Sequence, residues 1–324
     1  MDRRWWSRFV GVLIGWQVMT ASGEVVVEPI QPLLAPKELD STMVALGNRL
    51  FHDPRLSKDN TVSCSHCHHL HAGGSDNRPV SIGIDGQQGS INAPTVYNLN
   101  THIAYFSDGR AATLESLVDA PLRNPKEMAS TWSEVVSKLE SDPEMVKLFA
   151  KVFPEEHIGK ETVSMAIATF LRSLVTVDSP MDRWLAGDET ALSDAQLRGY
   201  KLFKSYGCVA CHQGQAVGGN MYATMGAIND YFAERGTPIT AADRGRYNVT
   251  KNPEDIHVFK VPSLRMVVAT APYFHDASAD TLEKAIKAMG RYQLGRNIPS
   301  EDIDDIKAFL SSLPGKHVLL TVQE

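Results

Sequence analysis

The chain has 324 residues and a formal net charge of −6 at pH 7, from 32 Lys and Arg against 38 Asp and Glu. That acidic balance argues against nucleic-acid binding, and the length suggests two domains. The four cysteines are confined to two short stretches, so a disulfide framework is excluded unless it consumes them.

Arg3, Arg4 and Arg8 precede a short apolar run at residues 9–19, and Ala21-Ser22-Gly23 offers small residues for cleavage. This reads as a secretory signal over residues 1–23, too short to favour a membrane span. Its removal takes away three Arg and one Asp and moves the charge from −6 to −8. Residues 24–39 read as an extended arm. Helical apolar spacing then begins at Met43, Leu46 and Leu50, just before Cys64-Ser65-His66-Cys67-His68. A second amphipathic stripe runs through Val163, Ile167, Phe170, Leu171 and Leu174, and a linker follows from Asp178-Ser179-Pro180 to Gly187. The same order then repeats. Leu197, Tyr200 and Phe203 lead into Cys208-Val209-Ala210-Cys211-His212, and a closing stripe passes through Ile303, Ile306, Phe309, Leu310 and Leu313.

Each Cys-x-x-Cys-His stretch is the attachment signature of a c-type haem, in which both thiols add to vinyl groups and the His ligates iron. Zinc sites do not need a His after every Cys pair, and a thioredoxin-type motif would not be expected twice with the same trailing His. Two covalent haems follow, on Cys64, Cys67 and His68, and on Cys208, Cys211 and His212. Signal, haems and an otherwise cysteine-free mature chain suit a bacterial periplasm. The repeated order of helix, haem motif, loops and closing helix predicts a mainly α fold. It would hold two class I cytochrome c-like domains, residues 40–178 and 190–316, with long haem-wrapping loops. Strand signals are weak, since Lys260-Val261-Pro262 is broken by proline. The stretch from Thr281 to Met289 reads as a helix or turn ending at Gly290. A thioether at Met289 would make a high-potential His/Met iron, with Met221, Met225 and Met266 as competitors.

The residues then match a family in one order over most of the chain. Leu50-Phe51-His52-Asp53-Pro54-Arg55-Leu56-Ser57, Gly73-Gly74-Ser75-Asp76, Ser81-Ile82-Gly83, Asn92-Ala93-Pro94-Thr95-Val96-Tyr97-Asn98, Asp108-Gly109-Arg110-Ala111 and Asn124-Pro125-Lys126-Glu127-Met128 lie in the first half. Phe259-Lys260-Val261-Pro262-Ser263-Leu264-Arg265, Ala271-Pro272-Tyr273-Phe274-His275-Asp276 and the Met-Gly-Arg-x-Gln-Leu-Gly run from Met289 lie in the second. In these the chain resembles the bacterial dihaem cytochrome c peroxidases, whose superfamily includes the dihaem oxidase that matures methylamine dehydrogenase. The resemblance implies a peroxidatic first haem held by His68 and an electron-transfer second haem held by His212 and Met289. It implies that Glu127 moves a proton during O–O cleavage. It also implies a calcium ion between the domains on Asn92 and the carbonyls of Thr270 and Pro272. The implied reaction is periplasmic reduction of hydrogen peroxide, with electrons from a small cytochrome c or cupredoxin; a homodimer is compatible with it.

Three positions depart from that pattern. Ile84 stands where the family has a displaceable distal His, Leu117 where a glutamine is common, and Ser107 where a tryptophan commonly stands between the haems. Isoleucine cannot ligate iron, which leaves His66, His69, His71 and His102 as possible substitutes. Arg110 suits a haem propionate, His275 suits a hydrogen-bonding role away from iron, and His157, His257 and His317 read as surface residues. Two rival readings stay open: an oxidase acting on a protein substrate, and a non-catalytic dihaem electron carrier. Tyrosine in place of Met289 would mark the first, and two six-coordinate irons the second.

Overall fold

The computed structural model describes residues 28–320, so the expected export signal lies outside the described residues. In chain order the helices are α1 (Ser41–Phe51), α2 (Cys64–Cys67), α3 (Leu114–Arg123), α4 (Trp132–Glu140), α5 (Pro143–Val152), α6 (Lys160–Ser173), α7 (Pro180–Leu185), α8 (Asp194–Tyr206), α9 (Tyr231–Glu234), α10 (Tyr247–Thr250), α11 (Leu282–Ala288) and α12 (Ser300–Ser311). Strands β1 (Tyr222–Thr224) and β2 (Val258–Lys260) pair antiparallel, with Tyr222 opposite Lys260. The fold is mainly helical. Among the described residues no helix is long and apolar enough to cross a membrane.

Two helix pairs organise the core, and they are built alike. Asp40 caps α1 by accepting from the backbone of Thr42 and Met43, and Ser193 caps α8 in a reciprocal box with Gln196. The apolar stripe of α1 packs on α6, and that of α8 packs on α12. A Cβ added to Gly47 would overlap the carbonyl oxygen of Ala166, and one added to Gly199 would overlap that of Asp305. Each glycine therefore lets two helix backbones touch where they cross. Beside each crossing an aromatic pair closes the contact: Phe51 with Phe170 at 5.3 Å, and Phe203 with Phe309 at 5.0 Å between ring centroids.

The buried apolar residues fall into two clusters, one drawn mainly from residues 46–174 and one mainly from residues 181–313. Each terminus crosses to the cluster far from it in sequence. Ile30, 1% exposed, belongs to the second cluster and bridges Gly214, while Leu319 and Leu320 pack against the first. The stretch expected to be a linker is ordered instead. It forms α7, whose Met181 is fully buried, because Ser179 and Asp182 make a capping box and Asp182 pairs with Arg265 at 2.8 Å.

Candidate haem sites

The two Cys-x-x-Cys-His stretches adopt tight helical turns, each seated against its own apolar cluster. Cys64 packs on the first cluster, and Cys208 with Val209 on the second. No cysteine is in a disulfide. Burial pushes the thiols up, to about 12 at Cys64 and about 11 at Cys208. At Cys67, pushed up to about 11, burial is the main cause; a hydrogen bond from Ser81 opposes it, and the charges of Asp76 and Glu127 add to it.

The histidines that follow are held differently. His68 places Nδ1 3.0 Å from the Gly74 carbonyl, which fixes the ring and leaves Nε2 for a metal. His212 has its Nδ1 buried near the carbonyls of Val217 and Pro262, without a well-aligned hydrogen bond to either. Burial pulls both imidazoles below their ordinary value, His212 to about 4, so both stay neutral at pH 7. Neutral imidazole is the form that binds iron. The donor set and its support therefore fit two c-type haems.

Met289 begins a π-helical turn, Met289–Gln293, that continues α11. The helix does not end at Gly290 as the sequence suggested. Gln293 holds the turn open, accepting from the backbone of Gly226 and Ala227 and donating to the Thr224 carbonyl. Such bulges recur at functional sites because they re-aim a side chain. Among the competing methionines, Met266 is only 2% exposed within the first cluster, whereas Met221 and Met225 are half-buried.

Over residues 41–190 the chain matches the family model described as di-haem cytochrome c peroxidase. It is 50% identical over 290 residues to the cytochrome c peroxidase Ccp of Escherichia coli (strain K12), an alignment covering 89% of this chain and 61% of that relative. It is 46% identical over 288 residues to the cytochrome c551 peroxidase of Nitrosomonas europaea, covering 89% of this chain and 84% of the relative. This chain belongs to the di-haem cytochrome c peroxidase family. Its fold is also similar to the crystal structure of a MauG-like protein associated with microbial copper homeostasis, with TM-score 0.78 and 28% identity over 92% of this chain and 97% of the other.

Against that family background the first site has a distinct wall. Ile84, 4% exposed, sits in a closed loop in which Gly83 N–H donates to Gln87 and Gly89 N–H to Ser81. Its own N–H donates to the carbonyl of Glu127 at 2.9 Å, so Ile84 and Glu127 are neighbours. The Glu127 carboxylate accepts from Asn124 Nδ2 at 2.6 Å. Burial raises its pKa, while the Asn124 hydrogen bond and the Arg110 charge oppose the rise. Arg110 pairs with Asp108 and lies over the Phe106 ring at 3.6 Å. Leu117 packs half-buried against the first cluster. His66 is exposed, and His69 and His71 stack on each other at 5.8 Å.

The expected calcium donors are compatible with a hard cation. Asn92 spends its amide nitrogens on the carbonyls of His275 and Arg78. Among the described residues its Oδ1 and the carbonyls of Thr270 and Pro272 accept no hydrogen bond. Asn77, which no motif marked, ties the two segments together by donating to the carbonyls of Ala269 and Ala271.

His275 is held at 2.7 Å by Asp243, itself paired with Arg235, which also pairs with Asp276. His275, Asp243 and Asp276 are close enough to hold a metal, but both carboxylates are already paired to the Arg235 guanidinium. Two surface assignments need correction. His257 donates from Nδ1 to the Asp243 carbonyl and stacks on Phe232 at 3.9 Å, and His317 packs edge-on to Tyr97 at 5.4 Å. Both are fixed by residues distant in sequence, which no local pattern reveals. His157 is exposed, as expected.

Proposed function

We propose that this chain is a periplasmic dihaem c-type peroxidase, reducing hydrogen peroxide to water with electrons from a small redox protein: H2O2 + 2e− + 2H+ gives 2 H2O. The carrying observation is the pairing of two Cys-x-x-Cys-His turns with a half-buried carboxylate, Glu127, whose pKa burial raises, beside the first of them. The two class I cytochrome c-like domains would span residues 40–178 and 190–316, and the equal helix crossings at Gly47 and Gly199 support that division. Cys64, Cys67 and His68 would hold one haem; Cys208, Cys211, His212 and Met289 the other. Asn92, Thr270 and Pro272 would hold calcium between them.

When bound, the haems supply the electrons for O–O cleavage and a ligand position for peroxide. The residues supply the proton management. Glu127, desolvated and steered by Asn124, takes the proton from the near peroxide oxygen and returns it to the departing one. Ile84 is buried, bonded through its backbone to the Glu127 carbonyl, and offers no lone pair, so the loop of residues 81–89 would act as a passive wall. Met289, at the head of its π-turn, would fill the sixth position of the second iron and favour its ferrous state.

The test is one preparation measured twice. A pyridine haemochrome assay should find two haems per chain. Fully oxidised protein, mixed with peroxide before any reductant, should then react at its first haem and afterwards oxidise a reduced small cytochrome c or cupredoxin. One haem per chain, or two low-spin haems inert to peroxide, would refute the reading.

A further inference from the structure

Where the two halves meet, a half-buried cation has no anion. Lys260, the last residue of β2, forms no ion pair among the described residues, and its one side-chain neighbour at hydrogen-bond range is His102 Nδ1, 3.4 Å from Nζ. The other ring nitrogen, His102 Nε2, is buried with no hydrogen-bond partner at all. Burial alone pulls the Lys260 ammonium down to about 8; burial, then the Lys260 charge, pulls the His102 imidazole to about 3. Two nitrogen groups are thus desolvated together and point to a missing acceptor. A buried donor left without an acceptor destabilises the fold, and a charged one more so.

The acceptor's place is narrowed by the backbone around the pair. Lys260 N–H donates to the Ser107 carbonyl at 2.8 Å, and Ile103 N–H donates to Gly219 at 2.9 Å, so both residues are pinned across the junction. Gly219 lies flat on the His102 ring, where any Cβ would collide. Its neighbour Gly218 lies against His212 Nδ1, the ring nitrogen turned away from the metal-binding Nε2, so the pair lies close behind the ligating histidine of the second site.

We propose that Lys260 and His102 together clamp a propionate carboxylate of the second haem. This rests on the reading that two haems are attached. A carboxylate there gives the Lys260 ammonium a counter-charge and His102 Nε2 an acceptor, and the clamp neutralises a negative group beside the second iron. Charge next to a haem tunes its potential, so the clamp makes the second haem easier to reduce.

Potentiometric titration of the holoprotein tests it, with each haem followed by its own absorption bands. Lys260→Met should shift the second haem about tenfold toward ferric, which is about 59 mV lower for one electron. Lys260→Arg should restore most of that, and His102→Phe should show a smaller shift of the same sign. The first haem's potential should stay put throughout. Resonance Raman should also show the second haem's propionate bending band moved in Lys260→Met and returned in Lys260→Arg. Fewer than two haems on the wild-type chain would overturn the reading beneath and this proposal with it. Two haems with the second potential unmoved in both Lys260→Met and His102→Phe would overturn the clamp alone, as would a shift landing on the first haem.

Discussion

The two halves share a crossing and differ in what surrounds it. In the first, α3, α4 and α5 stand between the haem motif and the closing helix, and their buried side chains extend one continuous apolar cluster. In the second, the same interval holds long loops, three short helices (α9, α10 and α11) and a two-stranded sheet of three-residue strands, and the apolar cluster is smaller. Ion pairs take over there. Arg265, 0% exposed, joins Asp182, Ser179, Gln215, Leu313 and Gln31, while Arg235 joins Asp243 and Asp276. A helical frame makes a dry wall, and a dry wall is what raises the pKa of Glu127. An irregular frame must satisfy its buried backbone with charged side chains.

The sharpest way to break this comparison is to remove the second half's central cation. Arg265→Ala leaves Asp182 buried without its partner and strips three carbonyls of their donor. We expect a loss of about 3–5 kcal/mol in unfolding free energy, the usual cost of breaking a buried pair. Urea unfolding followed at each haem's absorption should show the second half melting first. A loss below about 1 kcal/mol, as for a surface pair, would mean that the ion pairs do not carry that half.

Glu127 probes the dry wall of the first half. Glu127→Gln should retain both haem spectra while slowing peroxide turnover by about 10²-fold. The pH dependence has a definite sign. A raised pKa keeps the carboxyl protonated to higher pH, and only the ionised form can accept the first proton. Activity should therefore rise with pH along an acid limb lying above the ordinary glutamate value of about 4.3. Asn124→Ala removes a hydrogen bond that lowers the pKa, so the limb should move to still higher pH. Stopped-flow rates between pH 4 and 8, roughly the window around that value, decide it.

How much of this was legible beforehand depended on sequence distance. The haem turns and the four long helices of the crossings were readable because their signals are local: a five-residue motif, and apolar spacing along one helix. The π-turn was not, since Gln293 opens it only by reaching the backbone of Gly226 and Ala227. Nor was α7, whose order comes from Arg265, or the crossing of the termini between clusters. His102 was noticed as a histidine near the first motif, but its neighbours are Lys260 and Gly219, on the far side of the chain. Composition marks such residues as ordinary. Only the fold brings them together.

The gentlest test asks whether the two crossings are equivalent, as their sequences suggest. Gly47→Ala and Gly199→Ala each force a methyl group against a carbonyl of the opposing helix, so the backbones must separate. Overpacking of this kind costs about 1–3 kcal/mol. The chemistry of the two insertions is the same, so any difference reports how far each surrounding can yield. The first crossing lies inside the larger apolar cluster, with α3 also packed on α6, and has little room to shift. The second is flanked by loops, and on its open side Arg198 pairs with Asp305 in an exposed ion pair that can re-form after a small displacement. We therefore expect Gly47→Ala to be the costlier of the two, by roughly 1 kcal/mol within that range. Equal losses in urea unfolding would mean that the crossing is rigid by itself and that its surroundings contribute nothing to its precision.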